Sequence, residues 1–225
     1  MKIEWETIKL VIFDLDGTLN DTDDQYIERV SQSLSFVNRV FTGWDRKHFA
    51  RELIMGLETP GNAILGIPDQ IGLDGLWDSW KKKLGFRQNI KTRHFRLIRG
   101  VEEMLSVASR KRKLGLASVR GEEVLKAFVD QTMLRENFSI IVHALSTPRT
   151  KPEPDPILFA AREIGVLPEE CVMVGDTVVD ILAGRAAGAR TVGVLCGFGM
   201  EDELIRAGAD LILPSTADLI YYLKN

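Results

Sequence analysis

Six short runs of apolar residues recur along the chain, and they constrain its fold more than any other feature. They are KLVIF (9–13), LGLASV (114–119), SIIVHA (139–144), CVMVG (171–175), RTVGVL (190–195) and ADLILP (209–214). They lack the regular polar alternation of a strand with one solvent-exposed face, so each is predicted to be a strand buried on both faces. Strands of that kind are typical of parallel sheets.

Segments with helical spacing lie between these runs. In DPILFAAREIG one apolar stripe is formed by Ile157, Leu158, Ala161 and Ile164. Asp155 is predicted to be its N-cap, Pro156 a first-turn residue and Gly165 the stop signal. Strands that alternate with helices indicate an α/β fold with a doubly wound, Rossmann-like parallel sheet.

The interval from about 19 to 97 breaks this alternation. It contains helix-like segments such as DDQYIERVSQSLSFVNRVF but no convincing strand. We therefore predict a catalytic α/β core formed by residues 1–18 and 98–225, and a small all-helical cap domain, 19–97, inserted after the first strand. An insertion at the C-terminal end of a strand is well placed to act as a lid.

Composition narrows the class of partner. The formal net charge of -3 provides no global field for a polyanion, so no nucleic-acid partner is expected. Residues 81–100 carry eight basic side chains and no acidic one. Charge runs are usually solvated, and that interpretation is favoured here over a binding surface.

The cysteines and the N-terminal stretch indicate the cellular compartment. Cys171 and Cys196 sit in apolar segments without metal-type or redox-type spacing, which fits a reducing compartment. The N-terminal stretch is too charged for a secretion signal. No run of about 18 consecutive apolar residues occurs, so no membrane span is predicted. We expect a cytoplasmic protein without a membrane partner; the sequence does not indicate its oligomeric state.

The first strand ends in an unusual way, in DLDGTL. Asp14 and Asp16 follow the buried run directly, and a turn at Gly17 would direct both carboxylates into one cavity. Two close carboxylates in a dry site need a cation between them or a proton on one of them. The pair thus indicates a metal site, a general acid, or both.

Two other strand ends carry groups suited to an anion. Ser118 closes a strand in GLASVRG, ahead of Arg120 and the next helix, although a serine there is more often a simple N-cap. Lys151 in TKPEPDP is held in a stiffened loop, although on its own it would be read as a surface lysine. Each of these signals is weak alone.

The fourth place is VMVGDTVVDILAGRAAG. Asp176 ends a strand and Asp180 follows four residues later, which places both on one side if the turn is helical. Oxygen ligands of this kind suit Mg²⁺. A capping acid next to a solvated one explains the pattern equally well.

Taken in order, these stretches resemble the haloacid dehalogenase superfamily, in particular its phosphoglycolate phosphatase-like branch with a helical cap. The resemblance is carried by DLDGTL (14–19), Ser118 in LASVRG, KPEPDP (151–156), GDTVVDILAGRAAGA (175–189) and AGADLILPSTADL (207–219). It covers about two thirds of the chain. The cap matches only in its position and helical character.

The resemblance implies a Mg²⁺-dependent phosphatase acting on a small-molecule phosphomonoester. Asp14 would attack phosphorus, and Asp16 would act first as acid and then as base. The metal would be held by Asp14, Asp16 and Asp176, with Asp180 as a ligand or behind one. The phosphate-binding groups expected are Ser118, Lys151, Arg120 and, as a support of the first loop, Thr18.

Two alternatives stay open at this stage. A phosphosugar mutase of the same superfamily also keeps both aspartates. A regulator that binds a phosphorylated ligand without turning it over would keep the site too, although no core motif looks degenerate. Dehalogenases are disfavoured because they lack an acid at the position of Asp16. Many members have Asn after the serine, where this chain has Val119 and Arg120.

Overall fold

The computed structural model describes residues 3–21 and 94–224. Most of the predicted cap, 19–97, and most of the basic stretch, 81–100, lie outside these ranges, so both stay predictions. Within the described ranges, no helix combines the length and the apolar character that crossing a membrane requires.

The predicted parallel sheet is confirmed. Within the described ranges six strands form one sheet: β1 (Leu10–Phe13), β2 (Lys113–Ala117), β3 (Ile140–Val142), β4 (Cys171–Gly175), β5 (Arg190–Val194) and β6 (Leu211–Leu213). The strand order is β3-β2-β1-β4-β5-β6, and every neighbouring pair is parallel. This is a doubly wound α/β fold.

Helices follow the strands along the chain. They are α1 (Val101–Ala108), α2 (Glu122–Gln131), α3 (Asp155–Ile164), α4 (Val178–Ala187), α5 (Glu201–Ala207) and α6 (Ile220–Leu223). Parallel neighbours need such crossover connections because a hairpin cannot join them.

Both faces of the sheet are buried, as the apolar runs predict. Because side chains alternate along a strand, β1 sends Val11 and Phe13 into one core, shared with α1 and α2. Its other two residues, Leu10 and Ile12, enter a second core with α3 and α4. A polar residue at any of these positions would be buried in apolar surroundings, which explains why the runs are solid.

Some predicted boundaries were wrong by a few residues. The strands predicted at 139–144 and 209–214 are shorter at both ends, and β2 ends before Ser118. Asp155 is the first residue of α3, with Pro154 as its N-cap, so its prediction as N-cap was wrong by one position. Gly165 is confirmed as the stop, in a left-handed conformation with φ 76°.

The topology determines where a site can form. Strand β1 is central: the chain adds β2 and β3 on one side of it and then crosses back to add β4, β5 and β6 on the other. The carboxyl ends of β1, β2 and β4 therefore meet at the switch point of the sheet, where ligands of such folds bind. Asp14, Ser118 and Asp176 each follow one of these ends.

Candidate active site

Asp14 lies directly beyond β1, and a main-chain hydrogen bond fixes its position. Its backbone amide donates to Val174 O at 2.9 Å, which extends the pairing of β1 with β4 by one residue. The side chain is buried. A carboxyl group at this depth needs a partner, because burial alone disfavours its charged form.

Lys151 is that partner. Its ammonium donates to Asp14 Oδ1 and Asp180 Oδ1, both at 2.6 Å, and to the carbonyl oxygen of Ala117 at 2.9 Å. All three ammonium protons are thereby used. The lysine side chain is only 2% exposed, so interpreting it as a surface lysine would be wrong.

Burial and the neighbouring charges shift the pKa values of both Lys151 and Asp14. Burial disfavours the charged lysine, but the coulombic attraction of Asp14 and Asp180 outweighs it, so the Lys151 pKa is raised. Burial raises the pKa of Asp14 to about 7, with Lys151 opposing the shift and Asp180 and Asp16 adding to it. Burial is the largest cause of the raised Asp14 pKa, and Lys151 offsets it only in part.

Asp16 is held from two sides. Its Oδ1 accepts from Asn20 Nδ2 at 3.3 Å, and its Oδ2 accepts from Arg120 Nε at 2.7 Å. The Asp16 side chain is 6% exposed and that of Arg120 is 33% exposed. The resemblance implies a phosphate-binding role for Arg120; in the structure its guanidinium donates to the second aspartate, Asp16.

Asp176 follows β4 and is oriented by the two loops beside it. Its Oδ1 accepts from the Thr18 hydroxyl at 3.1 Å, and its Oδ2 accepts from the Phe198 amide at 2.7 Å. Gly17, with φ 79°, and Gly197 approach so closely that a Cβ at either position would overlap the Asp176 carboxylate. The buried Thr18 hydroxyl thus contacts Asp176 from the first loop.

Asp180 reaches the site for a reason different from the one its spacing suggests. Helix α4 begins at Val178, so Asp176 is not part of it. Asp180 lies in the first turn, where its Oδ2 accepts from the Thr177 amide at 3.2 Å and hydroxyl at 2.7 Å. Its Oδ1 faces Lys151, so this one carboxylate both caps α4 and anchors the lysine.

Ser118 lies just past β2. Its amide continues the sheet by donating to Val142 O at 3.0 Å, and its Oγ accepts from the Arg120 amide at 3.3 Å. The next helix is capped by Gly121 rather than by this serine. The hydroxyl faces the same cavity as Asp14 and Lys151.

The acid cluster fits a divalent cation. Asp14, Asp176 and Asp180 are buried and each offers an oxygen within 4.8 Å of the others. In the described part of this site, four buried carboxylates, those of Asp14, Asp16, Asp176 and Asp180, face the two cations Lys151 and Arg120. Two negative charges are left over with every acid ionised, and hard oxygen donors of that charge suit Mg²⁺.

A cavity of about 530 Å³ opens onto these groups. Its described lining includes Asp14, Asp16, Ser118 and Lys151, together with residues of α4 and α5 such as Leu182 and Arg206. A volume of this size suits a small molecule.

The family model for haloacid dehalogenase-like hydrolases matches residues 11–194 of this chain. This range includes every site residue that the sequence motifs predict. The chain belongs to this family. The haloacid dehalogenase-like hydrolases are therefore the family that the sequence motifs indicated, and that prediction is confirmed.

Two curated relatives in this family match almost the whole chain. Pyrophosphatase PpaX of Bacillus pumilus is 29% identical over 218 residues, 95% of each chain. Phosphoglycolate phosphatase of Chromobacterium violaceum is 29% identical over 223 residues, 97% of each chain. Among solved structures, a hydrolase from Pseudomonas syringae is 26% identical, with a TM-score of 0.70 over 96% of this chain and 97% of that one.

Two contacts at the site of this family member were missed from the sequence. Asn20 binds Asp16 through its side chain, while its Oδ1 accepts from the Arg96 amide at 3.0 Å. The Phe198 contact with Asp176 is made by a backbone amide, which no side-chain pattern reveals. The glycines in CGFGM, residues 196–200, are the available signal, since closely approaching backbone favours glycine.

Proposed function

We propose that this protein is a Mg²⁺-dependent phosphatase that hydrolyses a small phosphomonoester through an aspartyl phosphate on Asp14. The observation that carries the proposal is that Asp14, one of three buried acids whose oxygens lie within 4.8 Å of one another, is paired with the buried Lys151 and lines a cavity. A nucleophilic carboxylate, a fixed ammonium and a cation site are what phosphoryl transfer requires.

In the first step a carboxylate oxygen of Asp14 attacks phosphorus and the bond to the leaving oxygen breaks. Asp16 gives its proton to that oxygen, which leaves as an alcohol. Asp14 and Asp16 both line the cavity, so one bound phosphate group can reach both. Unaided hydrolysis of phosphate monoesters is among the slowest biological reactions, so the rate must come from these groups.

In the second step water attacks the phosphorus of the aspartyl phosphate. Asp16, now a carboxylate, takes a proton from that water, and the bond between phosphorus and Asp14 breaks. Inorganic phosphate leaves and Asp14 is regenerated. The proton balance closes, because the proton lost by Asp16 in the first step is recovered in the second.

Lys151 and Ser118 are the proposed phosphate-binding residues, since both line the cavity beside Asp14. The ammonium proton now donated to Asp14 would turn to a phosphoryl oxygen when Asp14 bonds to phosphorus. Mg²⁺ would be held by Asp14, Asp176 and the backbone carbonyl of Asp16, and would neutralise charge on the phosphoryl oxygens. We assign Asp180 to the support of these groups because its charge is already paired with the Lys151 ammonium at 2.6 Å, whereas the donors described for Asp176 are a neutral hydroxyl and a neutral amide.

Thr18 is assigned to the same kind of support. Its hydroxyl donates to Asp176, which favours a role in orienting that carboxylate over a direct phosphate contact.

The names of the relatives suggest which substrates to test first. One is named for pyrophosphate and the other for phosphoglycolate, and both of those substrates are small anions. Pyrophosphate hydrolysis is therefore the second candidate activity, in which phosphate replaces the alcohol as leaving group. Cap residues within 19–97 are proposed to select among leaving groups, because an insertion after the first strand is well placed to cover the cavity.

The direct test measures phosphate release from p-nitrophenyl phosphate, 2-phosphoglycolate and pyrophosphate, with Mg²⁺ and with EDTA. Release that requires Mg²⁺ and is abolished in Asp14→Asn supports the proposal. Turnover by Asp14→Asn at the wild-type rate would exclude Asp14 as nucleophile, and a wild-type protein inert toward all three would contradict the function. Isomerisation of a sugar phosphate without net phosphate release would indicate a mutase.

A further inference from the structure

Arg120 and Asp16 form a close ion pair at the edge of the cavity. The guanidinium Nε donates to Asp16 Oδ2 at 2.7 Å, between a half-buried arginine and a carboxyl group that is 6% exposed. We propose that Arg120 is a positioning residue for proton transfer: it fixes the Asp16 carboxyl toward the leaving oxygen and does not bind the phosphate. This inference rests on the proposed function, because it assigns Asp16 the transferred proton.

The main chain places Arg120 for this role. Its amide donates to Ser118 Oγ at 3.3 Å, and its carbonyl oxygen accepts from the Ala144 amide at 3.0 Å. These contacts tie the segment after β2 to that strand's end and to the loop after β3. The side chain then reaches Asp16 in the loop after β1, the strand that pairs with β2.

Both carboxylate oxygens of Asp16 accept hydrogen bonds, each from a different part of the chain. Asn20, four residues later, contacts Oδ1 at 3.3 Å, whereas Arg120 contacts Oδ2 at 2.7 Å. The shorter contact comes from the charged donor, and such hydrogen bonds are the stronger ones. Two donors on opposite oxygens restrict rotation about the terminal bond of Asp16, which a contact with Asn20 alone would not achieve.

The Arg120 contact suits both steps of the reaction. An oxygen of a carboxylate and the carbonyl oxygen of a carboxylic acid both accept hydrogen bonds, so Oδ2 can keep its donor while Oδ1 carries the proton. A phosphate-binding role is disfavoured because Asp16 lines the cavity, whereas Arg120 is not among its described lining residues. Lys151, which lies beside Asp14, already supplies a buried cation on the phosphate side.

The experiment compares leaving groups. Arg120→Gln keeps an N–H donor attached to the same carbon as the arginine Nε, whereas Arg120→Met has similar length and no donor. Release of the alcohol in a single turnover, with saturating Mg²⁺ at fixed pH, reports the first step alone. The two substrates are an alkyl phosphate, whose leaving oxygen must be protonated, and p-nitrophenyl phosphate, whose leaving oxygen needs little protonation.

We expect Arg120→Met to slow alcohol release from the alkyl phosphate by about 10²-fold, the lower end of what positioned proton transfer contributes. Release of p-nitrophenol should change by less than about tenfold, since that leaving group needs little protonation. Arg120→Gln should recover most of the loss on the alkyl phosphate. The exposed Arg135, outside the described cavity lining, supplies the control variant Arg135→Met.

Equal losses on both substrates in Arg120→Met would overturn the proposal, since a misfolded site or a lost phosphate contact affects both leaving groups alike. A raised KM with unchanged kcat would overturn it in favour of phosphate binding. A wild-type protein that releases phosphate from neither substrate would contradict the proposed function itself, and the inference about Arg120 would fall with it.

Discussion

The ammonium of Lys151 lies 2.6 Å from Asp14 Oδ1, and the lysine side chain is 2% exposed. This pair joins the end of the central strand to a loop 137 residues later in sequence. One cation thereby neutralises part of an acid cluster and faces the cavity in which a phosphate would bind. The structural role of Lys151 and its proposed catalytic role can be separated by experiment.

Lys151→Met should reduce both stability and activity. Removing one partner of a buried ion pair costs about 3–5 kcal/mol, because the other charge is left uncompensated. Protonation of Asp14 relieves that charge, so the loss in free energy of unfolding should be larger at pH 8 than at pH 5. Activity should fall at least about 100-fold, as when one donor to a developing anion is removed.

Urea denaturation at both pH values and phosphate-release assays check this expectation. Lys126→Met is the matched control, because Lys126 is exposed on α2 and lies outside the described lining. A Lys151→Met protein that is equally destabilised at both pH values would contradict the charge argument and indicate a loss of packing instead.

Asp176→Asn should weaken Mg²⁺ binding more than Asp180→Asn does. Asp180 is ion-paired with Lys151 at 2.6 Å, whereas the donors described for Asp176 are neutral, so Asp180 is proposed to act on the metal indirectly. Such supporting groups change affinity by about 10–100-fold. Isothermal titration of each variant with MgCl₂ makes the comparison. An Asp180→Asn protein that loses more affinity than Asp176→Asn would make Asp180 the direct ligand.

The strands and the residues at their ends could be predicted from the sequence, whereas several contacts at the site could not. The strands were predictable because solid apolar runs require two covered faces, and the strand ends then placed Asp14, Ser118 and Asp176 together. The contact of Arg120 with Asp16 was not predictable, since it spans 104 residues and depends on how the loop after β2 returns. A contact from a backbone amide, such as that of Phe198, has no residue type to reveal it.

Mg²⁺ affinity should rise with pH and level off above about 7. Burial raises the Asp14 pKa from 3.8 to about 7, so below that pH the metal must displace a proton. The expected slope is about tenfold in apparent affinity per pH unit below the Asp14 pKa.

Titrations in buffers of different ionisation enthalpy measure the released protons, about one at pH 6 and close to none at pH 8. No proton release at pH 6 would contradict the raised pKa. The same shift has a second consequence for the metal-free protein. Because the folded-state pKa lies above the unfolded value, the contribution of Asp14 to stability is full below about pH 4 and is lost as the pH rises through about 7.

Gly17→Ala and Gly165→Ala should separate backbone strain from the function of the site. Both glycines have left-handed backbone, with φ 79° and 76°, so alanine costs about 1–2 kcal/mol at either position. A Cβ at Gly165 meets nothing within 4 Å, whereas one at Gly17 overlaps the Asp176 carboxylate. Gly165→Ala should therefore lose stability alone, and Gly17→Ala should lose more stability together with Mg²⁺ binding. Thermal denaturation and MgCl₂ titration of both variants check this, and equal Mg²⁺ affinity in the two would show that Asp176 can move without loss of the metal site.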